Sequence, residues 1–284
     1  MHTFAYAMLG LFGIGYFVLA GADIGVGMLL PFLGRDRRLT IAAIAPFFLG
    51  NEVWLVATAG LLTALFPGME GEVFGRIWGA LVVLVSGWII RDMGLWLRGR
   101  QDGRAWRRFW DGATVAGSWA VAASWGVAIG LLMGGGAPLF AVTTCGLFAL
   151  HGAVFAALRL GSEEPRALAR RLVPLVLMAS VPCAIGAGTD HLGRTAPLAA
   201  ALGVLLVLTW LALGTRRYGA ALVTSALAIV VVPLLAAANL PAATTADDAS
   251  LTLTVTGVMV PLLIAAQAWV WWTFRGRVDG PSYL

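Results

Sequence analysis

The sequence contains no lysine and little charge of any kind. Charged residues make up 12% of the 284 positions and hydrophobic residues make up 60%, whereas a typical soluble domain is about 25% charged. A soluble fold could not hide so much apolar surface, so the expected solvent is lipid. There is no room for a separate soluble domain, and residues 1–284 are therefore expected to form a single transmembrane domain.

Cysteine is also scarce, and the common catalytic motifs are missing. Cys145 and Cys183 each lie inside an apolar run and form no CxxC pair, so we interpret both as small core residues. The sequence has no Walker A loop, no nucleotide-binding glycine fingerprint, no HExxH motif and no Ser-His-Asp set. We therefore predict no catalytic, cofactor-binding or metal-ligating residue in this chain.

All positive side-chain charge comes from arginine, which gives a net charge of +5 and a pI near 10. The arginines lie in short clusters between apolar runs. This pattern is typical of membrane-protein topology and not of a nucleic-acid-binding surface. Nucleic acid is accordingly excluded as a partner.

The apolar runs predict nine transmembrane helices, because a spanning helix needs roughly 20 apolar residues and lipid cannot satisfy free backbone groups. The predicted spans are 5–33, 42–66, 73–97, 110–134, 138–160, 168–188, 196–214, 218–240 and 250–274. The N-terminus has no basic region and no small-residue cleavage site. The first span is therefore expected to be retained and not to be a signal peptide.

The arginines also predict the orientation of the spans. Sixteen of the nineteen follow spans 1, 3, 5 and 7 or lie in the tail, on one face. The other face has only Arg76 and Arg194, and Arg91 lies within span 3. The acidic residues of this second face include Glu70, Glu72, Asp190, Asp247 and Asp248. The positive-inside rule then predicts a cytoplasmic C-terminus and an N-terminus outside.

Polar residues inside the spans are the candidate functional residues: Asp23 in span 1, Asn51 and Glu52 in span 2, and Arg91 beside Asp92 in span 3. A carboxylate in mid-bilayer costs about 2.5–3.5 kcal/mol, so it is normally paired, hydrated or protonated. Spans 1 and 3 cross in the same direction, which puts Asp23 and Arg91 at comparable depths where they can form an ion pair.

Two interpretations of these residues remain open. Asp23 and Glu52 could line a proton or ion relay. Alternatively, Asp23 pairs with Arg91, while Asn51 and Glu52 cap backbone groups or tie helices together. The residues alone favour the structural interpretation.

His151 is the only histidine inside a span. A neutral imidazole is a suitable ligand for heme iron. However, His2 and His191 are expected at the surface, so no second intramembrane histidine is available. A packed or hydrogen-bonded His151 is therefore favoured over a heme ligand.

Two stretches carry a resemblance to a known family. Residues 21–27 read GADIGVG and precede RDRR at 35–38, and residues 44–54 read IAPFFLGNEVW and precede TALFP at 63–67. They resemble subunit II of the cytochrome bd-type quinol oxidases, in which span 1 ends in Gly-Phe-Asp-hydrophobic-Gly-Val-Gly. Span 2 of that family carries Ile-Gly-Pro-x-Trp-Asp-Gly-Asn-Glu/Gln-x-Trp. The sequence is identified as a shortened and diverged member.

The resemblance implies an all-α membrane protein of the bacterial plasma membrane, with nine transmembrane helices in two four-helix bundles plus one peripheral helix. It also implies a heterodimer with a larger subunit I, which carries heme b and heme d and takes quinol as substrate. Membrane lipid, quinone and a small accessory subunit are further expected partners. Subunit II binds no heme in this family. It scaffolds the complex and helps line a proton route, for which Asp23, Asn51, Glu52 and Arg91 are the candidates here.

The sequence departs from the family pattern at two acidic positions. The Trp-Asp pair is Phe48-Leu49 here, and the acidic residue three positions before Asp23 is Ala20. The aspartate assigned to the proton route is thus absent. We hypothesise that protons arrive mainly through subunit I and that this subunit is mostly structural. The alternative is a diverged relative that acts as a membrane transporter, although no internal repeat supports an inverted-repeat transporter.

Overall fold

The computed structural model describes residues 2–34, 37–186, 192–238, 240, 249–278 and 280, with the side chains of all but 2, 184–186 and 192–195. The regular secondary structure among these residues is entirely helical, with turns between the helices and no strand. The helices are α1 His2–Leu29, α2 Arg37–Ile44, α3 Phe48–Leu65, α4 Pro67–Leu97, α5 Arg104–Leu132, α6 Ala137–Leu160, α7 Glu163–Gly186, α8 Leu192–Gly214, α9 Tyr218–Ala238 and α10 Ala249–Thr273.

Eight of these helices, namely α1, α3 to α6 and α8 to α10, are long and apolar enough to cross a membrane. The prediction of an all-α membrane protein is therefore confirmed at this level. The remaining predicted span, 168–188, overlaps α7, and its last two residues lie outside the described part of the chain. The count of nine membrane crossings stays a prediction.

The predicted second span, 42–66, is wrong as a single helix. Helix α2 ends at Ile44 and α3 begins at Phe48, with a turn at 45–47. Pro46 has no N–H to donate and disfavours the helical conformation in the residue before it, which accounts for the break. Asn51 and Glu52 consequently lie in the first two turns of α3 and not in the middle of a long span.

The long helices pack in two groups of four. Helices α1, α3, α4 and α5 form the first group, and α6 to α9 form the second. Helices α1 and α5 pack on α6 and thereby join the groups, whereas α10 lies outside both and contacts α3. Burial follows this arrangement, since 78% of the spanning segment of α6 is buried but only 11% of that of α10. Helix α6 is thus central and α10 peripheral.

The glycines of the GADIGVG stretch let α1 approach its neighbours. A Cβ on Gly25 would overlap the Phe148 carbonyl of α6, and a Cβ on Gly152 would overlap the backbone of Gly25. Only residues without a side chain fit at this backbone contact. Likewise, a Cβ on Gly27 would overlap the Ser118 hydroxyl of α5. Gly25 and Gly152 thus join the two groups of helices, and Gly27 brings α1 close to α5 within the first group.

Arginine side chains tie together the helix ends of one face. Asp111 of α5 accepts hydrogen bonds from Arg37 Nη1 of α2 at 3.0 Å and from Arg98 Nε at the end of α4 at 2.5 Å. Arg166 Nε of α7 donates to the Leu213 carbonyl of α8 at 2.9 Å. We call this end of the molecule the arginine-rich face. Its orientation in a membrane stays a prediction.

Some residues of the topology argument lie outside the described side chains. They are His2, Arg35, Asp190, His191, Arg194, Asp247 and Asp248.

Candidate functional site: a buried charged cluster

The structure brings the four predicted polar residues together and adds two others. We call the buried cluster the set Asp23 of α1, Asn51 and Glu52 of α3, Arg91 and Asp92 of α4, and Gln267 of α10. Four helices therefore meet at one polar centre. The cluster lies inside the first group of helices, with α10 reaching it from outside.

Arg91 is the hub of the buried cluster and is 1% exposed. Its Nη2 donates to Asp23 Oδ1 at 2.5 Å, so the two residues expected at comparable depths are in contact. Its Nη1 donates to Glu52 Oε1 at 3.1 Å and to Asp92 Oδ1 at 2.9 Å. One guanidinium therefore holds carboxylates from three helices.

Asn51 forms the neutral side of the buried cluster. Its Nδ2 donates to Asp23 Oδ2 at 2.7 Å and to the Leu19 carbonyl at 3.0 Å. Gln267 Nε2 donates to Asn51 Oδ1 at 2.9 Å, which is the polar tie between α10 and α3. Both oxygens of the buried Asp23 carboxylate thus accept a hydrogen bond, as a carboxylate in this environment requires.

Helix packing and an aromatic ring hold Arg91 in place. A Cβ on Gly117 of α5 would approach the Arg91 backbone nitrogen to 2.6 Å, so glycine is needed where α5 passes α4. On the other side, the guanidinium lies 5.8 Å from the centre of the Phe48 ring, within the range of a cation–π contact. The phenyl ring therefore supplies an aromatic face where the family pattern has tryptophan.

The buried cluster has more acid than base. Three carboxylates face one guanidinium, which leaves a formal charge of −2 when every carboxylate is ionised. Uncompensated charge is costly at membrane depth, so this composition favours binding of a proton or contact with an outside donor. The side chains of Glu52 and Asp92 are 13% and 20% exposed, whereas Asp23 and Arg91 are closed off. A proton or an outside hydrogen-bond donor can therefore reach the buried cluster at Glu52 and Asp92.

His151 lies apart from the buried cluster, and both of its ring nitrogens are engaged. Nε2 is 3.0 Å from the Val18 carbonyl, and Nδ1 is 2.8 Å from Ser225 Oγ. A carbonyl can only accept, so Nε2 carries the proton, and in a neutral ring Nδ1 accepts from the serine hydroxyl. His151 is thus hydrogen-bonded, as favoured from the sequence.

Metal-binding groups are not found in the described part of the chain, where no three His, Cys, Asp or Glu residues come together suitably. Cys145 and Cys183 are both buried free thiols, as predicted for small core residues.

Sequence reasoning missed Gln267 and underrated Asp92. A lone glutamine in the apolar run 250–274 was a usable signal, because a polar residue in a span usually has a partner. Its contact with Asn51, 216 positions away, could not be inferred from spacing.

Asp23, Asn51 and Glu52 of the buried cluster lie in the two stretches that carried the family resemblance. The family model for cytochrome bd terminal oxidase subunit II matches residues 1–274. The chain belongs to this family. The earlier resemblance is thereby confirmed, and the matched region includes every residue of the buried cluster.

Three relatives illustrate the range within the subunit II family. The chain is 35% identical to cytochrome bd-I ubiquinol oxidase subunit 2 of Escherichia coli K12 over 133 residues, which are 46% of this chain and 35% of that protein. It is 37% identical to a probable cytochrome oxidase subunit 2 of Haemophilus influenzae over 43% of this chain and 33% of that protein. The match thus spans about a third of the length of these two curated relatives.

The third relative matches over nearly its full length. Cytochrome bd ubiquinol oxidase subunit 2 of Bacillus subtilis is 26% identical in an alignment that covers 98% of this chain and 97% of that protein. The likeness to subunit II proteins therefore extends over the second group of helices as well as the first.

Proposed function

We propose that this chain is the noncatalytic, heme-free membrane subunit of a cytochrome bd-type quinol:oxygen oxidoreductase in the respiratory chain of the bacterial plasma membrane. It scaffolds a heme-bearing subunit I, in which quinol is oxidised and oxygen is reduced to water. The partly open side of the buried cluster is the observation that carries this proposal.

Glu52 and Asp92 open between apolar side chains of α3 and α4. Ile89 and Met93, which flank Asp92 on α4, are 55% and 44% exposed, and Val56 on α3 is 61% exposed. Apolar exposure is ordinary in lipid, but a charged carboxylate beside hydrocarbon costs about 2.5–3.5 kcal/mol. A protein partner that covers this face removes that cost. We therefore assign the face to subunit I.

The chemistry of His151 supports a heme-free role for this chain. The neutral imidazole uses its lone pair on Nδ1 for Ser225 and its proton on Nε2 for the Val18 carbonyl. Iron ligation would require one of these bonds to break and a rotation inside a closed core. The residues of this chain thus fit heme poorly, and the hemes belong in the partner.

Protons for oxygen reduction arrive mainly through subunit I in this proposal. The family's aspartate position is Leu49 here, and its side chain is 50% exposed. The remaining acids are held by Arg91 and Asn51 inside the protein. The buried cluster then serves mainly to fix α1, α3, α4 and α10 beneath the subunit contact.

Copurification tests the assignment of the partner. The tagged chain, extracted in mild detergent, should carry subunit I and show b- and d-type absorption bands, while the chain expressed alone should show none. Ile89→Trp should abolish copurification, because the larger ring blocks the proposed contact. Val204→Trp is the matched control, since Val204 is 59% exposed on α8, away from this face. A stable chain that transports solute without any companion would overturn the proposal in favour of a transporter.

Oxygen consumption tests the role of the buried cluster. The double variant Asp23→Asn, Glu52→Gln keeps side-chain shape but removes two carboxylates. We expect oxygen consumption per assembled complex to stay within about twofold of the parent, a change of well under 1 kcal/mol in the barrier. A collapse in turnover with normal assembly would instead assign the proton route to these residues.

A further inference from the structure

A cavity opens near the arginine-rich face, and its wall includes Phe48, whose ring also contacts Arg91 of the buried cluster. Its volume is about 530 Å³, within the range of roughly 300–1,000 Å³ that is common for small-molecule sites. It lies between the turn at 45–47, the end of α6 and the segment after α10. Leu49 and Trp96 form part of its apolar wall.

Arg159, near the end of α6, lines this cavity and is 5% exposed. Its Nη1 donates to the carbonyls of Phe274 and Gly276, and its guanidinium lies 5.5 Å from the centre of the Phe47 ring. Its Nε is buried and has no hydrogen-bond partner among the described residues. Arg91 holds three carboxylates, whereas Arg159 makes no ion pair with any described residue. A buried cation with only carbonyl partners has an unmet demand for an anion.

Arg277 brings a second cation to the same cavity. Its guanidinium lies beside Gly161, where a Cβ would be 3.0 Å from Arg277 Cζ. The backbone fixes this arrangement, because Val278 N donates to the Arg159 carbonyl at 3.0 Å. The described lining of the cavity contains these two arginines and no acidic residue. The cavity thus carries a positive charge that no acidic residue of its described lining neutralises.

We propose that this cavity binds the phosphate group of an anionic membrane phospholipid. Guanidinium groups match phosphate oxygens in charge and geometry, and basic pockets at helix ends favour anionic headgroups. Arg159 and Arg277 contact the phosphate, and the apolar wall at Leu49 and Trp96 accommodates the start of an acyl chain. A free phosphate ion would use the arginines alone, so the apolar wall is the reason to assign a lipid.

Lipid titration of the delipidated complex in detergent tests this site. We expect dioleoyl phosphatidylglycerol, and not dioleoyl phosphatidylcholine, to be retained in native mass spectra and to raise the melting temperature. Arg277→Gln should weaken phosphatidylglycerol binding about fivefold, the effect of one arginine near an anionic lipid. Arg275→Gln is the matched control, because Arg275 stacks on Trp272 at 5.1 Å and does not line the cavity. The affinity of the Arg275→Gln variant for phosphatidylglycerol should equal that of the parent protein.

Arg159→Gln should abolish the preference for phosphatidylglycerol, but it also removes two bonds to carbonyls and can destabilise the fold. Arg277→Gln keeps the test decisive, since Arg277 is exposed. If the Arg275 and Arg277 variants lost phosphatidylglycerol affinity equally, general surface charge would explain the binding, and the proposed site would be overturned. Binding of phosphatidylcholine as tight as that of phosphatidylglycerol would also overturn the site. A melting shift with inorganic phosphate but not with phosphatidylglycerol would overturn the lipid assignment.

Discussion

The two groups of helices solve the problem of polarity in lipid differently. The first group, α1 and α3 to α5, encloses Arg91 and three carboxylates. The second group, α6 to α9, contains neutral pairs such as His151 with Ser225 and Thr209 with Thr224, and its buried charge, Arg159, lies at the end of α6. Arg91 joins carboxylates of three helices at one point, whereas Thr209 and Thr224 join two.

The two solutions respond differently to damage. Removing one partner of a buried ion pair leaves the other charge uncompensated, at a cost of about 3–5 kcal/mol. A neutral bond between membrane helices contributes about 0.6 kcal/mol on average. The first group should therefore be rigid but vulnerable at a single residue, and the second should tolerate single substitutions.

Arg91→Gln is expected to break the first group. The variant leaves three carboxylates facing each other without a cation, so the free energy of unfolding should fall by about 3–5 kcal/mol. Unfolding in a detergent–denaturant titration measures this change. Arg76→Gln is the control, because its pair with Glu72 is exposed and should contribute less than about 1 kcal/mol. Similar stabilities of the two variants would show that the buried cluster is not a hub.

Gly25→Ala tests the joint between the groups. The added methyl would overlap the Phe148 carbonyl, and since backbone cannot yield easily, a loss of about 1–3 kcal/mol is expected. Gly10→Ala, on the same helix, has no atom within 4 Å of the new Cβ and should be neutral or stabilising. Thermal unfolding of both variants measures the difference. A harmless Gly25→Ala would mean that α1 and α6 are farther apart.

Ser225→Ala examines a neutral pair of the second group. It leaves His151 Nδ1 without a donor, so we expect a loss of about 1–2 kcal/mol. Ser180→Ala serves as the control, because that hydroxyl donates only to the Leu177 carbonyl of its own helix, at 2.8 Å. A loss as large as that of Arg91→Gln would erase the contrast between the two groups.

Gln267→Leu should give the smallest effect. It removes the bond to Asn51 and loosens α10 by about 0.6 kcal/mol, without disturbing the ion pairs of Arg91. Hydrogen exchange in peptides from α10 should rise about threefold. Thr254→Val is the control on the same helix, because that hydroxyl donates to its own helix at Ser250. Unchanged exchange in the Gln267 variant would remove Gln267 from the buried cluster.

Asp23, Arg91 and Glu52 show which contacts of the buried cluster could be predicted from the sequence. The depth argument for Asp23 and Arg91 needed only span order and direction, and the structure places the pair in contact. Glu52 was recognised as polar within a span, but its bond to Arg91 joins α3 to α4, and the break at 45–47 that sets the start of α3 was not predicted. Pro46 signalled that break, yet the apolar residues on both sides suggested one continuous span.

The sequence by itself determined the solvent, the helical class, the family and the identity of most polar residues inside the helices. Composition and local motifs are sufficient for these conclusions because lipid leaves a chain few ways to satisfy its backbone. Only the tertiary structure decided that one arginine serves three carboxylates, that Gln267 reaches Asn51, and that Arg159 pairs with no carboxylate in the described part of the chain. These facts depend on the distances and rotations between helices, which close packing around residues such as Gly25 and Gly117 fixes and which no local pattern encodes.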